Sequence, residues 1–177
     1  MTIDGHPTDR QHIHAELERV RADLHDLVAR ATEADLGRRT NGTRWTKGQM
    51  LWHMTFGYLL VRRLLPLVRL FGRLPDRFSR LFASALNATT TPFQRINYLG
   101  GVAGALVFRG PRLTRRLDHT IDRLHRSLDA QTDETLAGQM HFPVDWDPFF
   151  RDTMTQAQVY QYATEHYDFH RSQLTLR

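Results

Sequence analysis

The chain has 177 residues and a mass of 20.7 kDa, the size of one domain able to bury about two thirds of its unfolded surface. It contains no cysteine, which excludes disulfides, a protein thiolate and cysteine zinc sites, and leaves ten histidines with Asp and Glu as the available metal ligands. The net charge of +5 is unevenly placed: one basic residue is Lys47, all the others are arginine, and between residues 61 and 117 eleven arginines face a single acid, Asp76, a block that suits an anionic contact.

The opening MTIDGHPTDRQH is polar, and no run of 18 uncharged apolar residues follows, so the expected location is the cytoplasm. Over residues 11–31, Ile13, Leu17, Val20, Leu24, Leu27 and Ala31 alternate at spacings of four and three, the seam of an amphipathic helix. A polar loop broken by Gly37 and Gly42 leads to Trp45. Thr46 and Gln49 then form the T-x-x-Q of a capping box, and Met50, His53, Phe56, Gly57 and Leu60 recur at helical spacing behind it. Pro66 and Pro75 predict kinks or restarts in this second helix. Arg62, Arg69, Arg73, Arg77 and Arg80 fall near one helical stripe, residues 87–92 predict a turn, and Gly100, Gly101 and Gly104 predict interruptions after it. Gly110-Pro111 restarts the chain into a third long helix marked by Leu113, Leu117, Ile121, Leu124 and Leu128. After an aromatic loop over 140–150, a second capping box, Thr155 and Gln158, opens a last helix that runs to Leu174. No strand alternation is visible. The expectation is one all-α domain over 1–177: a four-helix bundle with a basic, apolar, partly helical insert at about 65–110 between the second and third helices. The insert should cover one end of the bundle or, preferably, form a homodimer contact.

His166 and His170 stand at i and i+4, the spacing that lets two imidazoles share one divalent ion. Ten histidines placed at random would give about half such a pair by chance, so the spacing alone is weak. Position strengthens it, because Tyr162, His166, Phe169, His170 and Gln173 share the face that a bundle turns inward, and His53 lies on the corresponding stripe of the second helix. Three converging imidazoles would make an open site with room for water or substrate. Gln49 and Gln173, one turn from these histidines, are the candidates to line the pocket, and Gly57 is expected to leave room for a ligand. His6, His12, His14, His25, His119, His125 and His141 are expected to be solvated or structural. Trp45 should pack under the start of the second helix, and Trp146 should anchor its loop. Glu165 and Asp168 point away from His166, so no catalytic residue is identified. Acids of the first and third helices are the expected acceptors for the ligand N–H groups.

Trp45-Thr-Lys-Gly-Gln-Met-Leu-Trp-His53 resembles the W-s-x-g-e-x-x-x-H signature of DinB-like proteins, and Tyr162-x-x-x-His166-x-x-x-His170-x-x-Gln173-Leu174 resembles their C-terminal ligand helix. Phe142-Pro143 and Trp146-Asp-Pro-Phe-Phe150 are similar to one subgroup. The resemblance covers about two thirds of the chain. It implies an up-down-down-up bundle whose ligands His53, His166 and His170 hold a divalent ion, zinc or nickel. Relatives in that superfamily include mycothiol- and bacillithiol-dependent S-transferases, which implies thiol transfer to a small electrophile. The sulfur would then come from a low-molecular-weight thiol such as mycothiol, which suits the arginine-rich composition of a GC-rich bacterium. A non-catalytic metal-binding stress protein, a metal-dependent hydrolase and a membrane-peripheral protein with its insert among lipid headgroups are the alternatives. Nucleic-acid binding ranks last, since no recognition motif accompanies the charge.

Overall fold

The computed structural model describes residues 10–175. Within them the elements follow as α1 (Arg10–Arg30), α2 (Glu33–Gly37), α3 (Lys47–Phe71), α4 (Asp76–Asn87), α5 (Thr90–Val107), α6 (Pro111–Asp129), α7 (Asp133–Ala137), β1 (Gln139–His141), β2 (Thr153–Thr155) and α8 (Gln156–Ser172). The fold is all-α apart from one antiparallel hairpin, in which Met140 faces Met154. Helix α3 packs against α6 and α8, and α1 closes the bundle against the same two helices.

The apolar seams account for this arrangement. Ile13, Leu17, Val20, Leu24 and Leu27 of α1 are buried, as are Leu113, Leu117, Ile121, Leu124 and Leu128 of α6. Each such side chain contributes about 1.5 to 3 kcal/mol relative to exposure. Both capping boxes form: Thr46 Oγ1 accepts from Gln49 N and Gln49 Oε1 accepts from Thr46 N, and Thr155 with Gln158 repeats the pattern. Pro111 occupies the first turn of α6, where its missing N–H has no helical acceptor to lose.

The second helix departs from expectation. It runs unbroken through Pro66 to Phe71. The ring sits on an exposed face, where water can solvate the carbonyl that proline leaves without a donor. Pro75 caps α4 instead, so Arg62 and Arg69 on α3 belong to a different helix from Arg77 and Arg80 on α4 and do not form one stripe. The turn between α4 and α5 is shorter than predicted, and Pro92 lies inside the first turn of α5. Gly101 and Gly104 do not interrupt that helix. A Cβ on Gly101 would fall 2.0 Å from the Trp45 indole, and one on Gly104 would fall 2.0 Å from Trp52 Nε1. The glycines are seats for two indoles, through which α5 lies directly on α3 and the residues before it. The insert thereby flanks the bundle, while Leu81, Ile96, Leu99 and Leu106 remain exposed on its outer side. No described helix is long and apolar enough to cross a membrane.

The region expected as a plain loop before α3 is tied down. Thr32 caps α2 through Asp35 N, and Thr40 N bonds Trp45 O. Lys47, the only lysine, is buried; its Nζ donates to Thr175 O at 2.5 Å and lies 3.7 Å from the buried carboxylate of Asp35. Asn41 N donates to Gln173 O. The end of α8 is thus fastened to the start of α3, the two places that carry the candidate ligands.

Candidate metal centre

His53 comes from α3, and His166 and His170 come from successive turns of α8, the helix packed against it. His53 and His166 are buried, and His170 is partly so. The ring centroids lie 5.0, 4.9 and 4.6 Å apart for the 53–166, 53–170 and 166–170 pairs. One nitrogen from each ring falls within 4.8 Å of the others. The structure therefore brings together the three residues that spacing and resemblance single out.

Nearby groups fix their orientation. Gln173 Oε1 accepts from His170 Nδ1 at 2.8 Å, which leaves His170 Nε2 with its lone pair. Trp45 stacks on His53 at 5.0 Å, so the indole seated on Gly101 also braces the first ligand. Phe149 and Phe169 meet His166 and His170 edge-on and form an apolar rim. Burial pushes the His53 pKa down to about 4, with the charge of His170 adding to the effect. Burial also takes His166 well below its usual value, helped by the other two imidazoles, and lowers His170 against the opposing pull of Gln173 and Asp147. All three rings are accordingly neutral near pH 7, the form that coordinates a metal.

Asp147 is the carboxylate beside the three histidines that sequence periodicity did not single out. It lies in the loop between the strands, its Oδ2 accepts from Tyr162 OH at 2.9 Å, and its Oδ1 accepts from Phe149 N at 2.9 Å. Oδ2 also stands 3.7 Å from His166 Nε2. Burial raises its pKa, opposed by those two hydrogen bonds and by His170. The loop is anchored by Trp146, whose Nε1 donates to Leu86 O at 2.7 Å and whose ring stacks on Phe93 at 3.9 Å. The insert therefore holds the carboxylate at the site. The only available signal was Trp146-Asp147-Pro148 itself, since a loop acid carries no periodicity.

Other expectations are corrected. Gly57 does not leave room for a ligand: a Cβ there would stand 3.1 Å from His166 Nδ1, so the glycine accommodates the imidazole itself. Gln49 spends its carbonyl on the capping box and lines a separate cavity of about 310 Å³, walled by α1, α2, α3, α5 and the start of α6, that contains none of the three histidines. The acid beside the ligands is Asp147 of the loop, whereas Asp23 of α1 is engaged by Tyr167 and Arg171. Glu165 and Asp168 do point away, toward Arg151 and Arg19. His141 is structural: it is buried in the hairpin between Asp76 and Asp152, each 3.0 Å away. His6 lies outside the described residues.

The site fits a divalent ion on its own chemistry. The Nδ1 atoms of His53 and His166 are buried without a hydrogen-bond partner. Two buried, imperfectly satisfied imidazoles beside a third are costly unless the cluster binds something. An all-imidazole set suits zinc, nickel, copper or iron rather than magnesium or calcium. A helical bundle carrying such a cluster between two facing helices defines the class. The chain belongs to the DinB superfamily, whose family model matches residues 16–174. No curated protein and no solved structure matches it.

Proposed function

We propose that the protein is a divalent-metal-dependent S-transferase, in which His53, His166 and His170 hold the ion and an external thiol is transferred to a small electrophile. When bound, the ion supplies a Lewis acid with open positions, able to lower the pKa of a thiol beside it. The observation that carries the reading is the combination of a neutral tris-imidazole cluster with one partly buried carboxylate, Asp147, at its edge. Gln173 keeps His170 in one tautomer, and Tyr162 with Phe149 N holds Asp147 in place. The raised pKa of Asp147 makes it a better proton acceptor than a solvated aspartate. The aromatic rim of Phe149 and Phe169 limits water around the reacting atoms. The absence of cysteine requires the sulfur to come from a cosubstrate, for which mycothiol is the first candidate.

Monochlorobimane is a suitable electrophile. The thiol S–H proton passes to Asp147, the new C–S bond forms and chloride leaves. Metal-loaded wild-type protein should conjugate bimane to mycothiol, whereas His53→Ala and the chelated protein should fall to the background rate. Asp147→Asn should retain metal and lose on the order of 10² to 10⁴ in kcat/KM. Equal rates in all four samples, or no turnover with mycothiol, bacillithiol or glutathione, would overturn the assignment and favour a metal-binding role without catalysis.

A further inference from the structure

A second histidine pair lies away from the metal centre, where α1 packs on α6. The rings of His14 and His125 meet edge to edge, with centroids 4.8 Å apart and planes within 15° of each other, and their Nδ1 atoms face each other at 2.5 Å. The opposite nitrogens are both engaged by acids. His14 Nε2 is 2.9 Å from Asp129 Oδ1, and His125 Nε2 is 2.6 Å from Glu18 Oε1. An ionised carboxylate only accepts, so in the neutral rings both protons reside on Nε2 and both Nδ1 atoms present lone pairs. Neither imidazole can then donate to the other, and two lone pairs at that distance repel. A cation between them resolves the conflict.

We propose that His14 and His125 form an interhelical metal site for a borderline divalent transition ion, with Glu18 and Asp129 as outer carboxylates. Each ligand would donate its remaining N–H to a carboxylate, the arrangement that orients metal-bound histidines and raises their basicity. The donor set is two imidazoles, which selects copper, nickel and zinc over magnesium and calcium. The side chains are 29% and 18% exposed, open enough for an ion to enter and for water to complete its coordination. Metal–nitrogen bonds of about 2.0 to 2.1 Å in a tetrahedral site need the two nitrogens about 3.3 Å apart. The rings must therefore part by less than 1 Å and tilt so that both lone pairs converge on the ion, within the rotamer freedom of partly exposed residues. Such an ion would pin α1 to α6 beside Arg21, which already bridges the two helices through Asp122.

The test separates this site from the three-histidine centre by difference. In equilibrium dialysis against Ni²⁺, His14→Ala and His125→Ala should each bind one equivalent fewer than wild type, and His119→Ala, an exposed histidine of α6, should bind as many. In NMR spectra of the wild-type chain, Cu²⁺ added beyond the equivalent taken up by the three-histidine centre should broaden the imidazole signals of His14 and His125. Unchanged stoichiometry in both variants would overturn the proposal. So would sharp His14 and His125 signals at one equivalent of Cu²⁺ above the tight centre, which would leave a shared proton as the cation between the rings.

Discussion

Gly57→Ala isolates the geometry of the metal centre from the stability of the helix that carries it. The position lies inside α3, where alanine is favoured over glycine by about 1 kcal/mol. The new methyl would stand 3.1 Å from His166 Nδ1, closer than ordinary van der Waals contact, so the imidazole must yield by a few tenths of an ångström. For the fold this repulsion and the propensity gain nearly cancel, and the metal-free variant should unfold within about 1 kcal/mol of wild type. For a metal the same shift is large, since ligand distances hold to about 0.2 Å. Affinity should fall by about tenfold or more, the effect seen when groups supporting a ligand are disturbed. Chelator competition measures the affinity, and denaturant unfolding of the apo forms measures the fold. Unaltered metal affinity would show that His166 is not held where the structure places it, or does not ligate.

Three further outcomes follow from the same structure. Gly104→Ala puts a Cβ 2.0 Å from Trp52 Nε1, which donates to Gly100 O; urea denaturation should show a loss of about 1 to 3 kcal/mol, and a neutral result would deny the tight α3–α5 contact. His141 has its pKa raised by the hydrogen bonds its ring donates to Asp152 and then Asp76, opposed by burial, so its protonated form stabilises the hairpin below about pH 6.5 and that contribution fades as pH rises through the folded-state value. His141→Gln should therefore cost more stability at pH 5.5 than at pH 8.5, and the reverse order in unfolding curves would sink the argument. The depressed pKa of His53, about 4, means that protons compete poorly with metal in the folded state; the centre should keep its ion below pH 6.5 and release it as pH approaches 4, with metal analysis after dialysis as the readout. Loss of the ion already at pH 6.5 would contradict the burial of that ring.

Much of the bundle was legible because its information is periodic. The α1 and α6 seams and the Thr46–Gln49 and Thr155–Gln158 boxes are local patterns, readable in windows of four to eighteen residues, and each formed where the sequence put it. The ligand pair His166 and His170 is of the same kind, one turn on one helix. His53 could be added from its inward stripe and from the resemblance. What periodicity cannot carry is anything decided by a neighbour distant in the chain. Pro66 passes through α3 because its ring faces solvent, and Gly101 and Gly104 sustain α5 because two indoles from α3 and the residue before its cap occupy the space their side chains would take. The short α2, α7 and hairpin lie below the length at which a pattern can be told from chance. The sequence by itself determined the all-α class, the helix starts and the His166–His170 pair, since these depend on spacing and capping within one element. Tertiary structure alone decided that Asp147 stands beside His166, that Gly57 makes way for the same ring, that Gln49 is spent on its cap and that His14 meets His125. Each depends on two segments packed together, and a side chain in a loop or on an opposing helix leaves no mark of that meeting in its own stretch of sequence.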